Sequence, residues 1–411
     1  MLRVPVDRIE PGMVLARPIS LERCAPGFVL PREHAISTDV VSMLVKHGIR
    51  EVWIRSTDLE FLEEALDQEL VEHQRAVYRQ VRCNFEKIMR GTNPEVDFDH
   101  FRESLSDLFD YLKRSRCGDV LLHKVDNYDD YLLSHSTNVC YLALVLGMRL
   151  EQYIAEQQSG YRTDEGSHIQ LLGMGCLLHD VGKTRIPVDI LNKPRRLTAD
   201  EMELVRRHPV YGYEMVKGQV PAAVADVILN HHQRFNGAGY PARVDLRTGE
   251  TLPSLAGEQI SIYSRIATVV DIYDAATSHR CYSGAKPSVQ VLHEMRTACR
   301  GFFDPRVEET FYQIIPPFPI GQIVRLSDGV EAVVVDFNSD CPACPKVQGI
   351  RDPRGGLYAD PARQEIDLAL TDDVAIVEVG GVDVRPFVAS QMPVLELAGQ
   401  PFGGSPLDAP V

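Results

Sequence analysis

The tightest constraint on this chain is an acid placed inside an apolar helical run. In Val269-Val270-Asp271-Ile272-Tyr273-Asp274-Ala275 a carboxylate interrupts an otherwise apolar face. Burying a carboxylate is costly unless it gains a hydrogen-bonding partner or a metal. Similar residues close two other apolar runs. Leu177-Leu178-His179-Asp180-Val181-Gly182-Lys183 ends on an adjacent His and Asp, and Ile228-Leu229-Asn230-His231-His232 ends on two histidines. Successive helical residues point about 100° apart, so neighbouring histidines converge on one ion only where the helix unwinds. Any one of these pairs is accounted for by a solvated helix end. The ordered set is more informative: His135, His179-Asp180, His208, His231-His232 and Asp271 each fall in or next to a predicted helix. Imidazole and carboxylate suit Fe, Mn, Ni or Zn, and the two oxygens of a carboxylate can bridge two metals.

Apolar periodicity places these residues in one long helical region, from about Asp119 to Tyr312. Its clearest helices are predicted at Tyr131 to Leu150, His168 to His179, Thr198 to Val205, Ala222 to His231 and Ile260 to Thr277. Thr198 and Glu201 have the spacing of a capping box. Upstream, residues 1–58 read as a small α+β module. Gly27 to Pro31 and Glu51 to Ile54 are predicted strands, and Val40 to His47 is a predicted helix capped by Gly48. Residues 59–116 read as a helical connector, two helices joined at Gly91 to Pro94. Pro316-Pro317-Phe318-Pro319 marks the end of the helical domain, taken as 117–315. Beyond it, Ile323 to Leu326 and Glu331 to Asp336 are predicted strands around Ser327-Asp328-Gly329, within a β-rich module over 316–397. Residues 398–411, rich in Gly and Pro, read as a disordered tail.

Composition narrows the function classes. The 411 residues carry a formal charge of -15, which argues against nonspecific nucleic-acid binding. An anionic substrate would then need local positive charge from metals, Lys or Arg. The start, Met1-Leu2-Arg3-Val4-Pro5, has no signal-peptide pattern, and no apolar stretch reaches the roughly 18 residues of a membrane span. A cytoplasmic location is expected. Nine cysteines fit reduced thiols better than a disulfide framework. Only Cys341-Pro-Ala-Cys344 has ligand spacing, and it reads as a turn with two free thiols.

Taken in order, four segments resemble the bacterial HD-GYP family. They are His179-Asp180-Val181-Gly182-Lys183, His208-Pro209-Val210-Tyr211-Gly212, His231-His232-Gln233-Arg234-Phe235-Asn236-Gly237-Ala238-Gly239-Tyr240-Pro241, and Asp271 to Arg280. The N-terminal Pro-Gly-Met module is similar, less specifically, to segments that precede such domains. The resemblance implies a mainly α fold: an all-helical HD-type metallophosphodiesterase domain between a small α+β module and a small β-rich module. It also implies hydrolysis of cyclic di-GMP to linear pGpG, GMP or both in second-messenger signalling.

Residue by residue, the resemblance implies that His135, His179, Asp180 and Asp271 hold one metal. Asp180 then bridges to a second metal held by His208, His231 and His232. Fe or Mn is favoured, with Ni or Zn as alternatives. Asp180 and Lys183 are the expected catalytic residues, and Lys183 and Arg280 the expected substrate contacts. The Gly237-Ala238-Gly239-Tyr240-Pro241 loop is expected to face a substrate or a protein partner, and a homodimer remains open. Four departures matter. Tyr131 stands where three-metal members carry Glu, with Asp129 and Asp130 out of register, which favours two metals. Ser283 stands where another basic residue is usual, leaving Lys286 as a substitute. Gln233 and Asn236 replace two acids. These changes leave room for an alternative, a catalytically weak cyclic di-GMP receptor that signals through its flanking modules.

Overall fold

The computed structural model describes residues 2–16, 19–20, 29–47, 49, 51–55, 68–90, 98–114, 131–158, 165–193, 195–244, 247–278, 285–356, 358, 364–371 and 373–388. Gly48, the Gly91 to Pro94 break, Asp129, Asp130, Arg280, Ser283 and the 398–411 tail lie outside them.

At the N-terminus, β1 (Leu2–Pro5), β2 (Ile19–Ser20), β3 (Val29–Leu30), α1 (Thr38–Lys46) and β4 (Glu51–Ile54) follow in order. β1 pairs antiparallel with β4, and β2 with β3. Val4, Leu15, Ile36, Leu44, Val52 and Ile54 close a small core of their own. The helix starts at Thr38 because the Ser37 side chain accepts a hydrogen bond from the Val40 N–H.

The helical body follows: α2 (Gln68–Arg90), α3 (Phe98–Arg114), α4 (Tyr131–Arg149), α5 (Glu151–Gln157), α6 (Glu165–Leu178), α7 (Val188–Leu191), α8 (Ala199–Val205), α9 (His208–Val216), α10 (Ala222–Asn230), α11 (Ile262–Thr277), α12 (Ser288–Ala298) and α13 (Pro305–Ile314). A 3-10 turn, Val181–Arg185, lies between α6 and α7. Leu70, Val77, Val81 and Phe85 of α2, and Leu105, Leu108 and Leu112 of α3, join the same apolar cluster as the later helices. These two helices are thus part of the body itself. Thr198 and Glu201 form the capping box at α8.

Helix α6 is apolar on all sides and runs through the middle, which only close neighbours permit. A Cβ on Gly173 would lie 2.7 Å from Leu144 Cδ2 of α4, and one on Gly175 would lie 2.7 Å from Val227 Cβ of α10. The two glycines let α4 and α10 approach α6 from different sides. That brings the end of α6 and the end of α10 to the same depth in the core.

Behind the body, β5 (Ile323–Leu326), β6 (Glu331–Asp336), β7 (Lys346–Arg351), β8 (Glu365–Asp367), β9 (Ile376–Val379) and β10 (Val382–Asp383) form one antiparallel sheet in the order β10-β9-β5-β6-β7-β8. A short α14 (Arg385–Val388) closes it. Val324, Leu326, Ala332, Val334, Val347, Ile376 and Val379 fill the sheet's core, joined by Phe318 and by Val289 from α12. The expectation of two free thiols is corrected here, because Cys341 and Cys344 form a disulfide in the β6–β7 connection. The turn already carries a Cys344 N–H to Cys341 carbonyl bond of 2.8 Å, which brings the two side chains together. Cys140, Cys176 and Cys299 are buried free thiols, as expected for reduced cysteines. Among the described residues no helix is long and apolar enough to cross a membrane.

Candidate metal centre

The ordered set of histidines and acids converges. His135 projects from α4 and Asp271 from α11; His179 and Asp180 follow α6 directly; His208 opens α9; His231 and His232 follow α10. Helix α10 ends at Asn230, with His231 as its C-cap still in αR backbone and His232 just beyond it. All of these are buried except His232, which is partly buried.

The contacts link them into one cluster. His135 Nε2 lies 3.0 Å from Asp271 Oδ1. His179 Nε2 lies 3.3 Å from Asp180 Oδ2 and 3.7 Å from Asp271 Oδ1. His208 Nε2 lies 3.2 Å from Asp180 Oδ1, and His232 Nδ1 lies 3.7 Å from Asp271 Oδ2. Three groupings have ligand atoms within 4.8 Å of one another: His208 with His231 and His232, His135 with His179 and Asp180, and His179 with His231 and Asp271.

The hydrogen bonds assign the protons. Nδ1 of His179 faces the Cys176 carbonyl at 2.6 Å, that of His208 the Val205 carbonyl at 2.8 Å, and that of His231 the Ile228 carbonyl at 3.0 Å. A carbonyl only accepts, so each Nδ1 carries hydrogen and each Nε2 turns a lone pair toward the centre. Nε2 of His208 and of His231 then face each other at 3.2 Å. Burial first, and then the neighbouring imidazoles of His179 and His208, push the His231 imidazole down to about 3. Burial lowers His208 as well. Two neutral imidazoles with opposed lone pairs lack only a cation. His179 Nε2, His232 Nε2 and Asp180 Oδ1 are likewise buried with no hydrogen-bond partner. A divalent ion satisfies all of these atoms at once, so the donor set fits metal binding.

The acids are charged in advance. Burial opposes ionisation of Asp180, but the Lys183 ammonium and then His179 hold it well below the usual carboxylate range. Lys183 Nζ donates to Asp180 Oδ2 at 2.8 Å, so this lysine does face the centre. Asp271 is also held low, by its bond to His135 and by nearby His179, against burial. His135 behaves in the opposite way from the other histidines. Burial lowers it, but bonds to Asp271 and Asp274 outweigh that and raise it to about 9.

Asp274 was not among the residues singled out from sequence, yet its Oδ2 lies 2.8 Å from His135 Nδ1. It aims the ring, as carboxylates commonly do for metal-binding histidines. Its signal was present: it follows Asp271 by three residues, on the same helical face. Tyr240 belongs to the Gly237 to Pro241 loop. Its ring stacks on His232 with centroids 4.6 Å apart, and its hydroxyl is buried with no hydrogen-bond partner. Gln233 stands where an acid is usual and anchors this loop, its Nε2 donating to the Pro241 carbonyl at 2.8 Å. Lys286, considered as a substitute for the basic residue at 283, is instead paired with Glu294 at 2.6 Å.

Residues 161–307 match a family model described as an HD domain, and residues 323–381 one described as a KOW domain associated with the HD domain. A cyclic di-GMP phosphodiesterase of Pseudomonas aeruginosa is 36% identical over 249 residues, 59% of this chain and 54% of that protein. The cyclic di-GMP phosphodiesterase response regulator RpfG of Xanthomonas campestris pv. campestris is 36% identical over 159 residues, 37% of this chain and 38% of that one. A 3'3'-cGAMP-specific phosphodiesterase of Vibrio cholerae is 32% identical over 135 residues, 32% of this chain and 24% of that one. This chain therefore spans about half or less of these relatives' lengths. An HDG"Y"P protein from Bdellovibrio bacteriovorus aligns over 75% of this chain and 97% of its own, with a TM-score of 0.47 and 14% identity. With His179-Asp180 and Gly239-Tyr240-Pro241 both inside the match, residues 161–307 of this chain form an HD domain, similar to stretches of cyclic di-GMP phosphodiesterases.

Proposed function

We propose that the chain is a metal-dependent phosphodiesterase that opens cyclic di-GMP to linear pGpG, and on to GMP, in bacterial second-messenger signalling. The observation that carries this reading is the pair of buried, opposed Nε2 lone pairs of His208 and His231 beside the ionised Asp180. The naming of two relatives as cyclic di-GMP phosphodiesterases supports the substrate.

In this reading His135, His179, Asp180 and Asp271 hold one divalent ion, and His208, His231 and His232 hold another, with Asp180 between them. Fe or Mn suits such a His-rich, carboxylate-bridged set, and Ni or Zn are the alternatives. Bound there, the ions supply Lewis acidity to phosphoryl oxygens and a water acidic enough to attack at neutral pH. The protein supplies the rest. Asp274 fixes the His135 ring, and the backbone carbonyls of residues 176, 205 and 228 fix three other rings. Lys183 reaches the centre with its ammonium and is placed to steady the charge that grows on the phosphoryl group. Arg280 is the proposed second substrate contact, and the Gly237 to Pro241 loop a substrate- or partner-facing surface.

The similarity to a 3'3'-cGAMP-specific phosphodiesterase favours one second reading, a mixed guanine–adenine cyclic dinucleotide as substrate. Purified chain loaded with Mn or Fe under reducing conditions is expected to hydrolyse cyclic di-GMP faster than 3'3'-cGAMP. The reverse order would support the second reading. Binding without turnover for every metal would support a receptor. Asp180→Ala is expected to abolish metal occupancy and hydrolysis together; wild-type turnover in that variant would refute the ligand assignment.

A further inference from the structure

A cyclic dinucleotide carries two phosphodiesters, and the metal centre with Lys183 accounts for one. A chain with a net charge of -15 must meet the other with local positive charge. Several cations of the helical body are already neutralised. Lys183 donates to Asp180, Lys286 pairs with Glu294, and Lys193 and Arg195 both pair with Glu201.

Arg206 is different. It caps the end of α8, two residues before His208, and is exposed. None of its contacts is with a carboxylate among the described residues; its guanidinium instead lies over the Tyr240 ring, 5.7 Å from the centroid. That same ring is stacked on His232 of the metal centre. The Tyr240 hydroxyl, on the ring that this guanidinium overlies, is buried and lacks a hydrogen-bond partner. A buried phenol without a partner, on a ring covered by a guanidinium without an acid and stacked on His232, is complementary with it to an anionic oxygen. The phenol donates one hydrogen bond, and the guanidinium presents a planar fork of donors that matches phosphate.

We infer that Arg206 and the Tyr240 hydroxyl form the subsite for the second phosphodiester of the cyclic dinucleotide, the one that is not being cleaved. This rests on the proposed phosphodiesterase reading and deepens it, because it makes Arg206 a determinant of selectivity for two-phosphate over one-phosphate substrates. Arg207, which stacks over Tyr211 instead at 5.6 Å, provides a neighbouring control.

The test compares Arg206→Gln, Arg206→Lys, Tyr240→Phe and Arg207→Gln in Mn-loaded full-length chain. Turnover is measured on cyclic di-GMP and on bis(p-nitrophenyl) phosphate, which has a single phosphodiester, alongside an equilibrium titration with cyclic di-GMP. Loss of one charge-assisted hydrogen bond at an exposed site predicts about a 10-fold rise in KM and Kd for cyclic di-GMP. The change in kcat should be much smaller, so selectivity over the one-phosphate diester falls by the same factor. Arg206→Lys should recover part of this, Tyr240→Phe should act in the same direction as Arg206→Gln, and Arg207→Gln should leave KM unchanged. If Arg206→Gln binds cyclic di-GMP as tightly as wild type, or if Arg207→Gln weakens it equally, the inference is wrong. Wild-type protein that turns over neither substrate would overturn the phosphodiesterase reading, and the binding titration would still decide the role of Arg206.

Discussion

Gly182 offers the sharpest test of how the centre is assembled. It lies in the 3-10 turn between Asp180 and Lys183, where the backbone runs directly against the start of α9. A Cβ at this position would lie 1.9 Å from the His208 carbonyl oxygen and 2.5 Å from the Gly212 nitrogen. Real Cβ contacts essentially never fall below 3.0 Å, so the turn and α9 would have to part by at least 1.1 Å, the difference between 3.0 and 1.9 Å. Both obstructing atoms are backbone, which cannot rotate aside. The separation acts on the 3.2 Å approach of His208 Nε2 to Asp180 Oδ1, where the two halves of the centre meet. Overpacking costs about 1–3 kcal/mol, and a backbone obstruction belongs at the upper end. About 3 kcal/mol corresponds to a fall of roughly 6–12 °C in the unfolding midpoint of the helical body. Gly182→Ala should therefore melt well below wild type by circular dichroism and bind fewer ions per chain by elemental analysis. Gly218→Ala is the comparison, since Gly218 has φ +79° but nothing within 4 Å of an added Cβ. It should cost only about 1 kcal/mol, from backbone strain alone. A Gly182→Ala variant that melts within 2 °C of wild type with full metal content would refute the close-packing argument.

Three further outcomes are expected. With His135 raised to about 9 in the metal-free protein and required neutral as a ligand, metal binding should release its proton. Apparent affinity should then fall about tenfold per pH unit below 9, and calorimetry in buffers of different ionisation enthalpy should detect roughly one proton; affinity that is flat from pH 7 to 9 would contradict this. Asp274→Asn should lower metal affinity about 10- to 100-fold with little change in fold, because only the group that aims His135 is altered; unchanged affinity would remove Asp274 from the centre. The metal-free chain should also be most stable near pH 6.5. His231, held down to about 3, refuses a proton that the unfolded chain accepts below 6.5, so the folded state loses about 1.4 kcal/mol of stability per pH unit on acidification until that value is reached. His135 acts in the opposite sense, and its stabilisation fades as pH rises from 6.5 to 9. Urea unfolding that shows the same stability at pH 4.5 and 6.5 would count against this.

Much of this centre was legible in the sequence, for a physical reason. Buried acids and histidines are expensive, so finding them repeatedly at the ends of apolar helices already implied a common destination. Helix α4, the Thr198 cap and strands β4, β5 and β6 could be placed for the same reason: periodicity and capping act locally. Three features depended on distant parts of the chain and were not legible. Asp274 is defined as a partner only by His135, more than a hundred residues away. Tyr240 gains its role from stacking on His232 and lying under Arg206, which loop composition does not encode. The pairing of Cys341 with Cys344 depends on the turn geometry of the β6–β7 connection, and the spacing alone was equally compatible with free thiols.

The Lys183–Asp180 contact has a consequence for how the protein matures. In the metal-free centre three carboxylates, Asp180, Asp271 and Asp274, face two cations, the Lys183 ammonium and the protonated His135. The charges nearly cancel before any ion arrives, so the core closes without waiting for one. Chain folding and cofactor acquisition are then separate events. The lysine would hold the Asp180 carboxylate during the interval. A chelated sample should consequently remain a folded, reloadable protein, and a cell short of metal would accumulate a dormant pool of it.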